Sequence, residues 1–275
     1  MRKIFLVLAT AGLVTAQTKK GGGDLCVPPP SGVAPALPAK ILAGQGEVHF
    51  PITTSIPEAQ KFFDQGVAQL HSFWAREAER SFLQAAALDP DAPMPQWGIA
   101  MVAAGDYRPR FQIDVLNEVI GRLVPAPESR AIKAARRAQE LAAGSGKATD
   151  LEKMYIVSVA GRRLAPQHES DDAYVAGLRA IVAKYPKENE AKLYLALHLM
   201  RGFVLPERTP RPGSMEAANL LRELLRDAPD HAGVHHYVIH GFEGSPFATD
   251  AWPSCKRYTE LVPNIPHALH MPGHI

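Results

Sequence analysis

The chain has 275 residues and a formal net charge of +2, and 46% of its residues are hydrophobic, 21% charged and 7% aromatic. This length can bury the core of one large domain or of an extended repeat array. A nearly neutral chain lacks the basic surface that nucleic-acid binding needs, so nucleic acid is excluded as an expected partner.

The first residues have the pattern of a secretory signal. Arg2 and Lys3 precede an apolar run from Ile4 to Val14, and Ala16 closes a small-residue cleavage site. The apolar run is too short to span a bilayer. We therefore expect residues 1–16 to be a signal peptide, and we expect export to the periplasm or the extracellular space. Removing them leaves 28 basic and 28 acidic residues.

A Gly- and Pro-rich stretch follows the signal. Residues 17–50 are predicted to be a disordered linker, because this composition cannot bury a core. Cys26 lies in this stretch and Cys255 in a predicted helix. Two cysteines permit one bridge at most, and the sequence leaves open whether these two are bridged.

From residue 57 the pattern is helical, and small and aromatic residues recur at fixed offsets. Gly66, Ala78, Phe82, Ala85 and Pro90 fall at positions 8, 20, 24, 27 and 32 of one 34-residue register. This register resembles the tetratricopeptide-repeat (TPR) superfamily, whose unit is a helix–turn–helix. The small residues allow two helices to approach closely, Phe82 fills the gap between repeats, and proline ends the second helix.

The predicted fold class is therefore an all-α, TPR-like helical-hairpin solenoid over residues 51–275. Clear repeats are predicted at 57–104 and 214–275, with degenerate hairpins between them. The intervening helices are predicted at 114–122, 127–143, 148–163, 170–184 and 188–202. The chain stops at Ile275 inside a helix without a partner, so we expect the solenoid to be truncated at its C-terminus.

Histidines concentrate at the end of the chain. Seven of the 11 His lie between Asp230 and Ile275, about a sixth of the sequence. His236 and His240 recur 34 residues later as His270 and His274, one repeat length away. On the helix that carries the first pair, an apolar stripe at i, i+3, i+4 and i+8 is supplied by other residues, so the histidines are not needed for packing. The stripe consists of Val234, Tyr237, Val238 and Phe242.

The TPR resemblance implies that these polar residues line the concave groove of the solenoid. The two pairs occupy positions 5 and 9, Glu243 occupies position 12 and His267 position 2 of the first helix. In the earlier repeat the same slots hold Trp97 and Met101, and His235 is assigned to the groove as well.

Imidazole is a favoured ligand of zinc, iron and copper, and two His one helical turn apart can share an ion. We therefore predict a divalent transition-metal site, with one ion or two close ions bound by His236, His240, His270 and His274. His267 and Glu243 are direct or supporting ligands. Pro272 argues against a simple helical pair at His270 and His274, because proline kinks or starts a helix.

Isolated histidines are expected to be solvated or to be satisfied core residues. They are His49, His71, His168, His198 and His231. Replacing His71 by Ala is accordingly expected to leave metal binding unchanged.

The stretches at 62–66, 88–91, 97–98, 235–243 and 270–275, with the motifs HHxxxHxxE and HxxHMPxHI, resemble a poorly characterised group of bacterial TPR-containing proteins. This resemblance implies the fold and names no reaction. One interpretation is an exported binding scaffold whose groove takes a metal and a peptide or protein partner. The alternative is a metal-dependent enzyme, hydrolase or oxidase-like, with the His as ligands and Glu243 as base.

Overall fold

The structure is a computed structural model, and it describes residues 34–103, Arg108, 129–144, 147–166 and 169–275. The helices in chain order are α1 Pro57–His71, α2 Ala75–Leu88, α3 Pro93–Val102, α4 Ser129–Gly144, α5 Asp150–Leu164, α6 Ser170–Lys184, α7 Asn189–Leu199, α8 Ser214–Asp227, α9 Ala232–Phe242, α10 Trp252–Leu261 and α11 Pro266–His270. Short 3-10 turns span Ala248–Ala251 and Met271–His274, and the strands β1 Phe203–Val204 and β2 Thr209–Pro210 pair antiparallel. The fold is all-α, as predicted, apart from this small hairpin.

The first hairpin shows why the repeat register specifies close packing. Phe82 of α2 is fully buried against Gly66 of α1 and Gly98 of α3. A Cβ atom would lie 2.5 Å from the Phe82 ring at Gly66 and 2.4 Å from it at Gly98, closer than carbon atoms can approach. Ala78 is also fully buried. The roles predicted for Gly66 and Phe82 are therefore confirmed.

Consecutive helices pack as hairpins, and the first helices of the hairpins also contact one another. α1 contacts α3 and α9, α3 contacts α5, and α7 contacts α9. The Trp97 ring joins the remaining pair, with its centroid 5.8 Å from that of Tyr155 on α5 and 6.0 Å from that of Tyr194 on α7. Within the described residues, these inner helices therefore close around a shared core.

This closure corrects one prediction. Trp97 and Met101 were assigned to an open groove, but neither has any exposed surface. Trp97 contacts Phe50, Phe63 and two tyrosines, and the Met101 sulfur lies 3.4 Å from the Tyr174 hydroxyl. The inner faces of the helices pack on each other, so these two residues belong to the core.

The predicted linker is also corrected in part. Ala39 donates its backbone N–H to Gln84 at 3.0 Å, and Leu42 donates to Gln65 at 2.7 Å. Phe50 is buried in the core, and the carbonyl of Gly44 accepts a bond from the backbone N–H of Asn264. Residues 39–50 are therefore an extended segment attached to both ends of the helical array. Hydrogen bonds with the side chains of Gln65, Gln84 and Asn264 hold it, which composition alone does not reveal.

Several predictions lie outside the described residues. They are the signal peptide at 1–16, the linker up to residue 33 with Cys26, the helix at 114–122 and His168. Cys255 is buried and has no disulfide partner among the described residues. The other predicted helices agree with α4 to α8 within a few residues at each end. Within the described ranges, none of the helices combines the length and hydropathy that crossing a bilayer requires.

Candidate metal centre

Helix α9 holds the first two histidines of the cluster. The ring Nδ1 of His231 accepts the backbone N–H of Gly233 at 3.1 Å and caps the helix N-terminus. The apolar stripe predicted for this helix is buried in the core. His236 and His240, one turn apart, therefore point from a separate face of α9, with ring centroids 4.9 Å apart.

The second group of histidines comes from the end of the chain. Pro266 starts the short helix α11, and the backbone changes to a 3-10 turn at Met271, next to Pro272. Despite this change, the rings of His270 and His274 are 4.9 Å apart and their Nε2 atoms 3.0 Å apart. The His240 and His274 rings are 5.2 Å apart, so the segments converge in spite of Pro272.

Three imidazoles form the inner part of the cluster, of which His236 and His267 are buried and His240 is half-buried. The Nε2 atoms of His236 and His267 are 2.9 Å apart, and the rings of His240 and His267 are 6.2 Å apart. One ring nitrogen from each of the three lies within 4.8 Å of the others. Two ligand nitrogens about 2.1 Å from one ion are about 3.0 Å apart at a right angle and about 3.4 Å apart in a tetrahedron. The spacing of His236 and His267 is close to that of a ligand pair.

Hydrogen bonding defines which nitrogen of His236 faces this cluster. Its Nδ1 lies 2.5 Å from the backbone carbonyl of His71. A carbonyl only accepts, so Nδ1 carries the proton, and the lone pair of Nε2 in a neutral His236 accepts the Nε2–H of His267 at 2.9 Å. A ring N–H donated to a backbone carbonyl is the arrangement that orients histidine ligands in metal sites.

Two other nitrogens of the cluster are buried without a hydrogen-bond partner among the described residues. They are Nε2 of His240 and Nδ1 of His267. An unpaired buried polar atom costs about 1–3 kcal/mol, so native structures rarely leave one without a function. Nε2 of His240 would gain from an ion that accepts its lone pair, whereas Nδ1 of His267 belongs to the ring edge that does not face His236.

Burial keeps these imidazoles neutral. It lowers the pKa of His236 well below the ordinary value, and His267 and His240 lower it further. Burial lowers the pKa of His240 as well, and the neighbouring Glu243 offsets only part of the effect. The pKa of His267 falls to about 3, mainly through burial and then through His240. Neutral imidazole is the form that ligates metal, so these residues are in the protonation state that a metal site would require at neutral pH.

The edge of the cluster is more exposed. His240, Glu243 and His274 form a second group that could hold an ion. His274 donates from Nδ1 to Glu243 at 3.0 Å, and Nδ1 of His240 lies 3.7 Å from the same carboxylate oxygen. Burial alone would raise the pKa of Glu243, but these histidines outweigh it and lower the pKa to about 2. His270 is exposed at the rim and belongs to neither three-residue group.

Phe73 contributes to the site and has no signal in the sequence. It follows α1 with a positive φ of 55°, a strained conformation for an aromatic residue. Its ring contacts that of His236 at 4.5 Å and stacks on that of His240 at 5.4 Å. The guanidinium of Arg108 lies 5.2 Å from the same ring. Phe73 thus forms an apolar wall that restricts the orientation of both histidines.

His235, which was assigned to the groove, has a structural position instead. Its Nε2 donates to the carbonyl of Pro229 at 2.7 Å, and its Nδ1 pairs with the Ser254 hydroxyl at 3.0 Å. The residue is buried, and both ring nitrogens are occupied. His235 therefore fastens α9 to the preceding turn and to α10, on a different side from His236.

A second polar group, His71, Glu190 and His231, also has metal-ligand composition. Here every ring nitrogen is paired. His71 donates to Glu190 at 2.7 Å and lies 3.2 Å from the Tyr237 hydroxyl, and His231 donates to the other oxygen of Glu190 at 2.8 Å. Burial would raise the pKa of Glu190, but the two histidines hold it well below its usual range. This group is a satisfied hydrogen-bond network in the core.

His71 is therefore a core residue, as predicted, and its replacement is now expected to lower stability, while the expectation that metal binding is unchanged stays a prediction. His71 is fully buried, and its side chain pairs a buried carboxylate.

Comparison with known proteins gives little further guidance. No protein-family model matches the chain, and no curated protein matches it. Among solved structures, the chain is similar to that of YrrB, "a TPR protein with an unusual peptide-binding site". The two chains are 15% identical, and their superposition has a TM-score of 0.36. The match covers 78% of this chain and 92% of YrrB. At this distance the similarity does not transfer a function, and the fold assignment rests on the helical hairpins described above.

Proposed function

We propose that the chain binds a transition-metal ion through His236, His240 and His267. The observation that carries the proposal is the state of the ring nitrogens. His236 and His267 face each other through Nε2 atoms that are 2.9 Å apart, and the buried Nε2 of His240 has no hydrogen-bond partner among the described residues. The satisfied network around Glu190 shows what a purely structural histidine group looks like in the same protein.

The ligand type supports zinc, iron or copper, as predicted from the sequence, because imidazole suits all three. Three protein ligands leave at least one coordination position for water or another molecule, as in catalytic zinc sites. Glu243 and His274 lie beside His240 and could hold a second ion or complete the coordination of the first. The four-histidine site predicted from the 34-residue spacing is thus proposed in a changed form, with His267 inside and His270 at the rim.

A metal-dependent enzyme is the second candidate, favoured by the open coordination position and by the adjacent carboxylate. The proposed role of Glu243 differs from that of a base, however. A carboxylate with a pKa of about 2 is a weak proton acceptor at neutral pH. It is better suited to ligate an ion or to orient His274, to which it is already hydrogen-bonded.

The scaffold role is also kept as a proposal, without the residues first assigned to it. Trp97, Met101 and His235 are buried, so they cannot contact a peptide or protein partner. A peptide-library selection on the purified protein tests this role. Failure to enrich any binder would contradict it.

Neighbouring histidines provide a matched test of the metal site. We expect Co²⁺ titration of the full chain to give a visible d–d absorption band, and inductively coupled plasma mass spectrometry to detect about one ion or two per chain. His236→Gln should lower the affinity by at least about a hundredfold, because it removes a direct ligand. His235→Gln changes the adjacent residue in the same way and should retain the metal, because neither nitrogen of His235 faces the cluster.

Circular dichroism of both variants verifies folding. Equal metal binding by His236→Gln and wild type would contradict the proposal, and so would a wild-type protein that takes up no Co²⁺, Zn²⁺, Fe²⁺ or Cu²⁺. Metal at 100 times its Kd should also stabilise the wild type by about 2.7 kcal/mol, since it binds only the folded state.

A further inference from the structure

A cavity of about 370 Å³ adjoins the metal centre. His240 and Glu243 line one part of it, together with Phe73. The end of α7 and the β1–β2 hairpin supply an apolar wall that includes Met200, Phe203 and Leu205. Small-molecule sites have this composition, mostly apolar with a few convergent polar groups, and begin at about this size.

Most of the charged residues that line the cavity are positive. Three arginines line it, Arg108, Arg201 and Arg211, against one carboxylate, Glu243. That carboxylate is already hydrogen-bonded to His274. The side chains that line the cavity therefore carry a net positive formal charge, which a bound cation would increase.

The position of Arg108 links this charge to the metal centre. Its guanidinium lies over the Phe73 ring, and the same ring stacks on His240. Guanidinium groups bind carboxylates through paired, planar hydrogen bonds, which gives arginine an advantage over lysine for such ligands. The apolar wall opposite favours an anion with a hydrocarbon body over a fully hydrated inorganic ion.

We propose that this cavity binds a small organic carboxylate, with its charge toward the arginines and its apolar part against Met200, Phe203 and Leu205. The ligand then lies beside the ion, next to His240, where a coordination position is open. The inference rests on the proposed metal site, because the cavity shares His240 and Glu243 with it. The inference adds a chemical class to the proposed function. The organic carboxylate would be either a substrate of the site or a further ligand of the ion.

Benzoate is a suitable probe, since it combines a carboxylate with an apolar ring, and benzamide is its neutral counterpart. Isothermal titration of the Co²⁺-loaded full chain should show benzoate binding and at least tenfold weaker benzamide binding. The double variant Arg201→Gln/Arg211→Gln should weaken benzoate binding by about tenfold, because it removes two exposed cationic partners. The control Arg136→Gln/Arg137→Gln on α4 has the same change of charge away from the cavity and should bind benzoate as wild type does.

Metal loading is measured separately from the Co²⁺ absorption of every variant, so the two proposals can fail independently. Absence of benzoate binding by metal-loaded wild type overturns the carboxylate inference and leaves the metal site intact. Equal losses in the cavity and α4 variants also overturn it, because net charge would then explain the effect. Inorganic phosphate binding as tightly as benzoate would identify a general anion site and contradict the organic carboxylate. A wild-type chain that takes up no metal overturns the metal site and, with it, the inference built on it.

Discussion

The neutral histidine cluster predicts a specific loss of stability in mild acid when metal is absent. In the unfolded chain the pKa of His267 is the ordinary 6.5, whereas in the folded protein burial lowers it to about 3. Below pH 6.5 the unfolded state therefore binds a proton that the folded state does not. The contribution of His267 to stability is therefore fully present above pH 6.5 and is lost as the pH falls toward its pKa in the folded protein.

The magnitude follows from these two values. Between pH 7 and pH 5 the difference in proton binding at His267 alone costs about 2 kcal/mol of unfolding free energy. His236 and His240 act in the same direction, since burial lowers both of their pKa values. The pKa values of Glu190 and Glu243 are also lowered, from 4.5, so their contributions are lost only at more acidic pH.

Urea unfolding in EDTA at pH 7 and pH 5, followed by circular dichroism, measures the effect. We expect wild type to lose at least about 2 kcal/mol over this interval, and His267→Asn to lose about 2 kcal/mol less than wild type does. For each protein the unfolding free energies at pH 7 and pH 5 are compared with each other. The cost of losing the contact with His236 is the same at both pH values, so it cancels. An identical pH dependence in the two proteins would refute the assignment of His267 as a buried neutral imidazole.

Two further predictions concern the packing that supports the site. His71→Ala should lower the unfolding free energy by about 3 kcal/mol, because it leaves the buried carboxylate of Glu190 with one partner fewer, and urea unfolding at pH 7 measures this; an unchanged stability would contradict the core network. Gly98→Ala should cost about 1–3 kcal/mol, since its Cβ would lie 2.4 Å from the Phe82 ring. Gly144→Ala, where a Cβ meets nothing within 4 Å, is the matched control and should be neutral or slightly stabilising; equal melting temperatures for the two variants would contradict the close contact.

The repeat register was a reliable guide wherever the packing is local. Gly66, Ala78 and Phe82 lie within one hairpin, and their spacing alone specifies which helix faces meet. The same holds for α9, where the apolar stripe predicts which face is buried and leaves His236 and His240 on another.

The register was less informative about the site. It paired His270 and His274 with His236 and His240, but α11 begins at Pro266 and ends in a 3-10 turn. His267 is therefore turned into the cluster and His270 to its rim. No pattern indicated Phe73 or Glu190, because their partners are distant in sequence. Glu190, for example, is 119 residues from His71.

The sequence by itself determined the helical hairpins, their boundaries and the recurrence of histidines on neighbouring helices, because helix periodicity and the effects of proline and glycine act over a few residues. Only the tertiary structure decided which histidines are buried together and that the inner helices close on one another. That closure buries Trp97 and Met101, and it lets the carbonyl of His71 on α1 orient His236 on α9. Such contacts depend on the curvature of the array, which is the sum of the small rotations between successive repeats. The spacing of residues within one repeat does not specify these rotations.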